Sequence, residues 1–337
     1  MTPLSVDAKL LDWSDVDDGR WQTLLVGNGA SINVSDGFGY GSLFDVASRK
    51  FDASTLALFD RLDTRNFEAV LAGLSLTRAL TGAAGEATAW VDPIYEEVRD
   101  GLFNAVGEVH VAWAAIPGAT LQTMAAHLVQ YQQVFTLNYD LLLYWAIQDN
   151  VAQGRVVDFM WGPNNTFNST DAQVYSGKTG LYHLHGGLHL WRDALTGVTG
   201  KRTASGTRLL DNIRNAYSAT GSQQPLFVSE GDAADKLSAI RRSDYLSFAY
   251  QAFRADQSPT VVFGAGLGSP DKHIVDGLSA GHLRQIAISV YPGNGTSAEV
   301  DIINTKTNLM LALPGHNLTF FDSTTHPLGT TAPATTV

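Results

Sequence analysis

Gln22-Thr23-Leu24-Leu25-Val26-Gly27-Asn28-Gly29-Ala30-Ser31 is the stretch on which the fold turns. An apolar run that passes directly into closely spaced glycines reads as a buried strand followed by a tight turn. The arrangement returns near the other end of the chain, where Thr260-Val261-Val262-Phe263 enters Gly264-Ala265-Gly266-Leu267-Gly268. Between them Val134-Phe135-Thr136-Leu137 leads into Asn138-Tyr139-Asp140 and a helix over 141–147. Residues 156–161 read as a strand, 180–191 as a hairpin or long strand, 226–228 as a strand start, and 286–290 and 318–321 as two more buried strands.

Leucines and alanines at helical spacing through 67–71, 95–115 and 121–130 make 42–133 a helical block too long for a simple connection. Residues 232–253 read as helix, with Leu237, Ile240, Tyr245, Phe248 and Phe253 inward. Strands alternating with helices predict an α/β fold: a Rossmann-like, mostly parallel sheet with helices on both faces and an inserted helical layer. One domain over 1–322 is expected. The polar stretch 192–220 reads as a surface excursion, and the Thr- and Pro-rich residues 323–337 as a disordered tail.

The formal net charge of −11 repels phosphate backbones and anionic lipid, and no lysine–arginine cluster opposes it, so neither nucleic acid nor membrane is an expected partner. With no cysteine, disulfides, thiolate zinc sites and thiol nucleophiles are excluded. No basic leader with an apolar core opens the chain and no apolar run is long enough to span a bilayer, which points to the cytoplasm. A small-molecule anion remains compatible with this charge, because backbone N–H groups bind phosphate without basic side chains.

In a parallel sheet ligands sit at the carboxyl ends of the strands, and three suspicious loops follow predicted strands. Gly27, Asn28, Gly29, Ala30 and Ser31 form a loop able to approach a pyrophosphate closely, although Ile32 stands where a third fingerprint glycine would be. Gly264, Gly266, Leu267 and Asp271 belong to the second glycine loop; Asp271 either holds a ribose hydroxyl or caps the helix starting near Lys272. Asn138 either closes a turn or offers its amide to a ribose or a water, with Asp140 two residues on. The densest histidine cluster is Tyr182-His183-Leu184-His185-Gly186-Gly187-Leu188-His189. Strand alternation puts His183 and His185 on one side, with His185 catalytic and His183 packing or hydrogen bonding. No metal is expected there, because no carboxylate lies within the cluster.

Taken in order, Gly27-Asn28-Gly29-Ala30-Ser31, Thr136-Leu137-Asn138-Tyr139-Asp140, Leu184-His185-Gly186 and the loop 264–271 resemble the motif set of sirtuin-like proteins. More narrowly, Asn66-Phe67-Glu68 and residues 226–248 resemble a bacterial sirtuin-like branch whose members include NAD-consuming enzymes of antiphage defence. The resemblance implies NAD as substrate, Asn138 and His185 as the catalytic pair, and the loop 27–31 around the NAD phosphates. It also implies Asp140 facing the nicotinamide amide and Gly264, Gly266 and Leu267 on the adenosine side. Leu137, Asn28 and Gly266 depart from the family's Gln, Ala and Ser. The arginine-bearing segment of deacylating members is not recognisable in 37–41, and their four-cysteine zinc module is absent.

Simple cleavage of NAD to nicotinamide and ADP-ribose is therefore expected over protein deacylation. Transfer of ADP-ribose to an acceptor (or base exchange) and non-catalytic sensing of NAD or ADP-ribose are the alternatives. Unrestrained cleavage would be toxic, so a homo-oligomer or a regulatory partner is expected to restrain it.

Overall fold

The structure, a computed structural model, describes residues 6–174, 177–193, 195–203, 209–210, 212–213, 223–228, 232–293 and 295–335. The first apolar run forms β1 (Thr23–Val26), and the later ones form β2 (Gln133–Thr136), β3 (Val156–Val157), β4 (Thr179–His183), β8 (Thr260–Phe263), β9 (Gln285–Val290) and β10 (Asn317–Asp322). These seven make one sheet in the order β10-β9-β8-β1-β2-β4-β3, and every pairing in it is parallel.

Alternation along the central strands explains why helices cover both faces. Leu24, Val26, Val134, Val261 and Phe263 enter one core, while Leu25, Phe135 and Val262 enter the other. Successive side chains of a strand point to opposite faces, so a continuous apolar strand must be covered twice. The expected helical block lies on the first face. Its helices Ala53–Arg61, Phe67–Ala83 and Val91–Val109 contribute Phe59, Phe67, Val70, Leu71, Val98 and Leu102 to that core. The helix read over 232–253 is two, Ala233–Arg241 and Asp244–Ala255, separated where the Ser243 side chain accepts from Leu246 N and starts the second.

The stretch 180–191 behaves differently from either reading of it. The chain leaves the parallel sheet after His183 and re-enters a separate antiparallel sheet, β6-β5-β7, as β5 (Gly186–Asp193), flanked by β6 (Thr199–Lys201) and β7 (Gln223–Phe227). Gly186 makes the bend at φ +77°, where an added Cβ would stand 2.1 Å from Leu226 O. His183 and His185 therefore lie on two sides of a corner instead of one face of a strand. The strand expected over 156–161 stops at Val157; Phe159, at φ +67°, breaks the extended run. Of the excursion read over 192–220, residues 194, 204–208, 211 and 214–220 lie outside the described residues.

The end of the chain is packed up to Thr335, contrary to the expected disordered tail. Ser323–Thr325 forms a 3-10 turn, Ala334 N donates to Val34 O, and Thr335 N donates to Ala115 O. What holds it is a buried aromatic and imidazole cluster that composition does not reveal. His326 is fully buried, lies 4.5 Å from the Trp13 ring and stacks at 4.5 Å on Phe263. Its Nδ1 accepts from Leu328 N, so its Nε2 carries the proton and donates to His127 Nε2 at 3.1 Å, which also faces the Tyr131 hydroxyl at 3.0 Å.

Burial lowers His127 to about 4, and burial beside His127 pushes His326 lower still. Both rings stay neutral when folded but protonate in the unfolded chain below the ordinary value of 6.5. Stability is thus intact above about pH 6.5 and is lost as pH falls toward about 4, by about 3 kcal/mol for the His127 shift alone. Calorimetric melting across that window should show the fall, and His127→Gln should make it shallower by the His127 share, while His326 and the buried histidines at 183, 185, 189 and 273 keep theirs. An equal slope in the variant would remove this pair as the cause.

Candidate active site

Connections leave β1 toward β2 on one side, while β8 leads away to β9 on the other. The switch point of the sheet is therefore between β1 and β8, where a crevice opens beyond the carboxyl ends in folds of this kind. The two glycine loops flank this point. Asn138 and Asp140 follow β2, and His185 follows β4, all on the same rim of the sheet. Thr136 pairs with His183, so Asn138 and His185 each stand two residues beyond the last paired position of adjacent strands.

The glycines serve close approach, but of backbone to backbone. A Cβ on Gly27 would lie 2.6 Å from the Ala265 Cα, and one on Gly29 would lie 2.7 Å from the Gly264 Cα. Gly27 N donates to Phe263 O and Gly29 N to Gly264 O, at 2.8 and 2.9 Å; Ala30 N and Ser31 N donate within their own turn. The Asn28 side chain donates to Phe38 O. The first loop is thus locked onto the second, and four of the N–H groups expected to face phosphate are engaged with protein. In the second loop Gly264, at φ +67°, donates to Ser289 Oγ. The N–H groups of Ala265, Gly266, Leu267 and Gly268 donate to no protein group among the described residues. Leu267 itself holds φ +47°, a left-handed backbone conformation, with its side chain buried in the second core.

Asn138 is oriented by a buried chain of polar groups. Its Nδ2 donates to Ser31 Oγ at 2.8 Å, and Ser31 Oγ donates to Asp140 Oδ2 at 2.5 Å. The other Asp140 oxygen accepts from Leu142 N at 2.8 Å. With both oxygens engaged, Asp140 positions Ser31 and the start of the helix Leu142–Ala146. One direction of donation satisfies the whole chain, so the amide cannot flip without losing a bond. Asn138 Oδ1 is left buried with no hydrogen-bond partner among the described residues. His110 completes the support: its Nε2 accepts from Leu141 N at 2.8 Å while its Nδ1 faces Val111 O.

The histidines separate into two pairs. His183 contacts His189 at 4.8 Å between ring centroids, and neither His183 ring nitrogen has a hydrogen-bond partner among the described residues. Burial lowers it to about 4, so it is neutral packing. His185 Nε2 meets His273 Nε2 at 2.8 Å, with the rings stacked at 5.0 Å. The Tyr139 ring lies 6.5 Å from His185; its hydroxyl donates to Val228 O, and Val228 N donates to His185 O. His185 is held well below the ordinary histidine value by burial first, then by the Lys236 and His273 charges.

His273 and Lys236 are site neighbours that sequence reasoning missed. Lys236 is completely buried and its Nζ lies 3.0 Å from Asp271 Oδ1. Asp271 precedes the helix Lys272–Leu278 without capping it through its side chain, so the capping alternative is replaced by this ion pair. His185, His273 and Asp271 offer ligand atoms that all lie within 4.8 Å of one another. The expectation of no metal rested on the lack of a carboxylate near the histidines; the β8 loop brings one in. An Asp-x-His spacing at 271–273 was the available signal for His273. Nothing in an amphipathic helix marks Lys236 as inward.

A cleft of about 730 Å³ lies between the helix Val91–Val109 and the β5–β7 sheet. Arg99, Arg192, Arg242, Phe103 and Phe227 line it, and it reaches Val228, the residue bonded to both Tyr139 and His185. Among the described residues no helix is long and apolar enough to cross a membrane.

A family model described as a domain of unknown function, DUF4917, matches residues 24–328. No curated protein matches the chain. Among solved structures, a mutant Sir2 homologue in complex with 2′-O-acetyl ADP ribose is similar, at 13% identity over 90% of this chain and 98% of that one, with a TM-score of 0.33. A likeness of that size carries no argument about this chain.

Proposed function

The chain belongs to the DUF4917 family, a domain of unknown function, and we propose that it cleaves the nicotinamide–ribose bond of NAD, releasing nicotinamide and ADP-ribose. The observation that carries this reading is the placement of Asn138 and His185 at the ends of adjacent, in-register strands, β2 and β4, which follow β1 on one side of the switch point. The order of soft motifs along the chain supports it independently.

Nicotinamide in NAD is cationic and leaves as a neutral base, so its departure needs no general acid. The remaining work is to hold the ribose, place a water and accept one proton. Asn138 Oδ1, a buried acceptor without a partner, suits a water or a ribose hydroxyl, since an unmet buried acceptor costs about 1–3 kcal/mol until a ligand satisfies it. His185 is neutral at neutral pH and can take the proton. Water oxygen bonds to the anomeric carbon, the C–N pair stays with nicotinamide, and the water's proton passes to His185. The open N–H groups of 265–268 suit the phosphates better than the engaged ones of 27–31. Restraint by self-assembly or a regulatory partner, with release on infection, is the biological setting this reading fits.

The test is incubation of the purified protein with NAD in the presence of a chelator, followed by chromatography. Equimolar nicotinamide and ADP-ribose is the expected result. Nicotinamide without free ADP-ribose, with an adduct that needs an acceptor, would make it a transferase. NAD bound tightly and recovered intact would make it a sensor.

A further inference from the structure

We propose that His185, His273 and Asp271 form a binding site for one divalent transition-metal ion with the ligand preferences of zinc, and that the bound ion silences the site. Ion binding stands on the geometry alone; the silencing rests on the NAD-cleavage reading, in which His185 is the base.

Two imidazole nitrogens and one carboxylate are a donor set that zinc takes readily, with a fourth position left for water. Here all three ligand atoms already lie within 4.8 Å of one another, before any ion draws them in. The two Nε2 atoms face each other at 2.8 Å. Tetrahedral coordination would part them to about 3.3 Å, a shift of about half an ångström. One of the two facing Nε2 atoms carries the proton of their hydrogen bond; as the ion binds, that ring carries its proton on Nδ1 instead, so that both Nε2 lone pairs face the ion. The three residues come from two places: His185 from the corner after β4, and Asp271 with His273 from the junction of the β8 loop and the helix that follows.

The surroundings are those of a supported ligand set. Lys236 Nζ donates to Asp271 Oδ1, which leaves Oδ2 for an ion and fixes the carboxylate as an outer-shell donor does. The Tyr250 hydroxyl donates to His273 O and holds that ring's backbone in place. The Asp271 side chain is 23% exposed and supplies the route in from solvent, whereas both histidines are buried. Two features limit the affinity: the Lys236 ammonium adds positive charge beside the ion, and His273 Nδ1 has no acceptor for its proton among the described residues. Reversible binding follows, suited to inhibition. An ion on His185 Nε2 replaces the His273 contact and ties that ring up as a ligand, so it no longer accepts a proton from water.

Titration of the chelator-stripped protein with Co²⁺, followed by its visible absorption, tests the site, with Zn²⁺ as the displacing ion. One Co²⁺ per chain, displaced by Zn²⁺, is expected. His273→Gln and Asp271→Asn should each weaken binding by at least about 10- to 100-fold. As a second reading, Zn²⁺ should raise the melting temperature of the wild type and not of the variants. The absence of saturable one-to-one binding overturns the site, as does binding that survives in the His185→Gln/His273→Gln double variant. Nicotinamide release should fall in step with Zn²⁺ occupancy and return with chelator. Activity that rises with the ion, or is unchanged at full occupancy, overturns silencing. A protein that binds Co²⁺ as described but never cleaves NAD keeps the metal site and loses the NAD-cleavage reading, and silencing with it.

Discussion

Nicotinamide release should fall about 100- to 10,000-fold in His185→Ala and by a similar order in Asn138→Ala, the range that positioned catalytic groups contribute. The loss is expected in kcat, with KM for NAD little changed, because in the proposed reaction both groups act on the water and ribose while the phosphates are held elsewhere. His185 needs a separate control for folding, since its removal leaves His273 Nε2 without its partner. His185→Gln keeps a polar group of similar reach there and should melt near the wild type while remaining inactive.

The acid limb of kcat provides a second signature. Burial, Lys236 and His273 depress His185, so the active neutral form persists as pH falls through the ordinary histidine value of 6.5. The rate should hold across that point and drop only well below it. A limb centred at the ordinary value, or full turnover in both alanine variants, would remove His185 and Asn138 from the chemistry.

Asp256→Ala is expected to destabilise the fold by about 3 kcal/mol or more without touching the site. Asp256 and Arg284 form an ion pair at 3.1 Å with both side chains almost wholly buried, at the amino ends of β8 and β9. Removing one partner strands the other's charge in the interior, which costs about 3–5 kcal/mol in comparable cases. Burial lowers the Arg284 pKa and the Asp256 carboxylate opposes that shift. Arg284 keeps its bonds to Asp256 O and Leu278 O in the variant, which places the effect toward the lower end. Urea unfolding measures it. The double replacement Asp256→Leu/Arg284→Met should recover most of the loss, because two apolar side chains bury no unpaired charge. A single variant within about 1 kcal/mol of the wild type would show that water reaches the pair.

The sheet was legible because its central strands are short, continuous apolar runs that pass directly into turn residues, a pattern that fits strands buried on both faces. The rim of the candidate site was legible for the same reason: Gly27, Asn138 and Gly264 each follow such a run. His185 was noticed from composition, but its surroundings were not. The corner depends on Gly186 at φ +77°, and the antiparallel sheet beyond it is built from Thr199–Lys201 and Gln223–Phe227, which carry no strong alternation. The inward Lys236 and the packed residues 323–335 depend on partners more than thirty residues away along the chain. Composition treats lysine as solvated and a Thr–Pro-rich end as loose.

The anchoring of that last segment has a practical side. Ala334 hangs from the final residue of the helix Gly29–Val34, the one that springs from the first glycine loop. A fluorophore attached at residue 335 would therefore ride on the same lever as Ser31 and signal, from the outer surface of the molecule, any parting of the two glycine loops when a nucleotide is added.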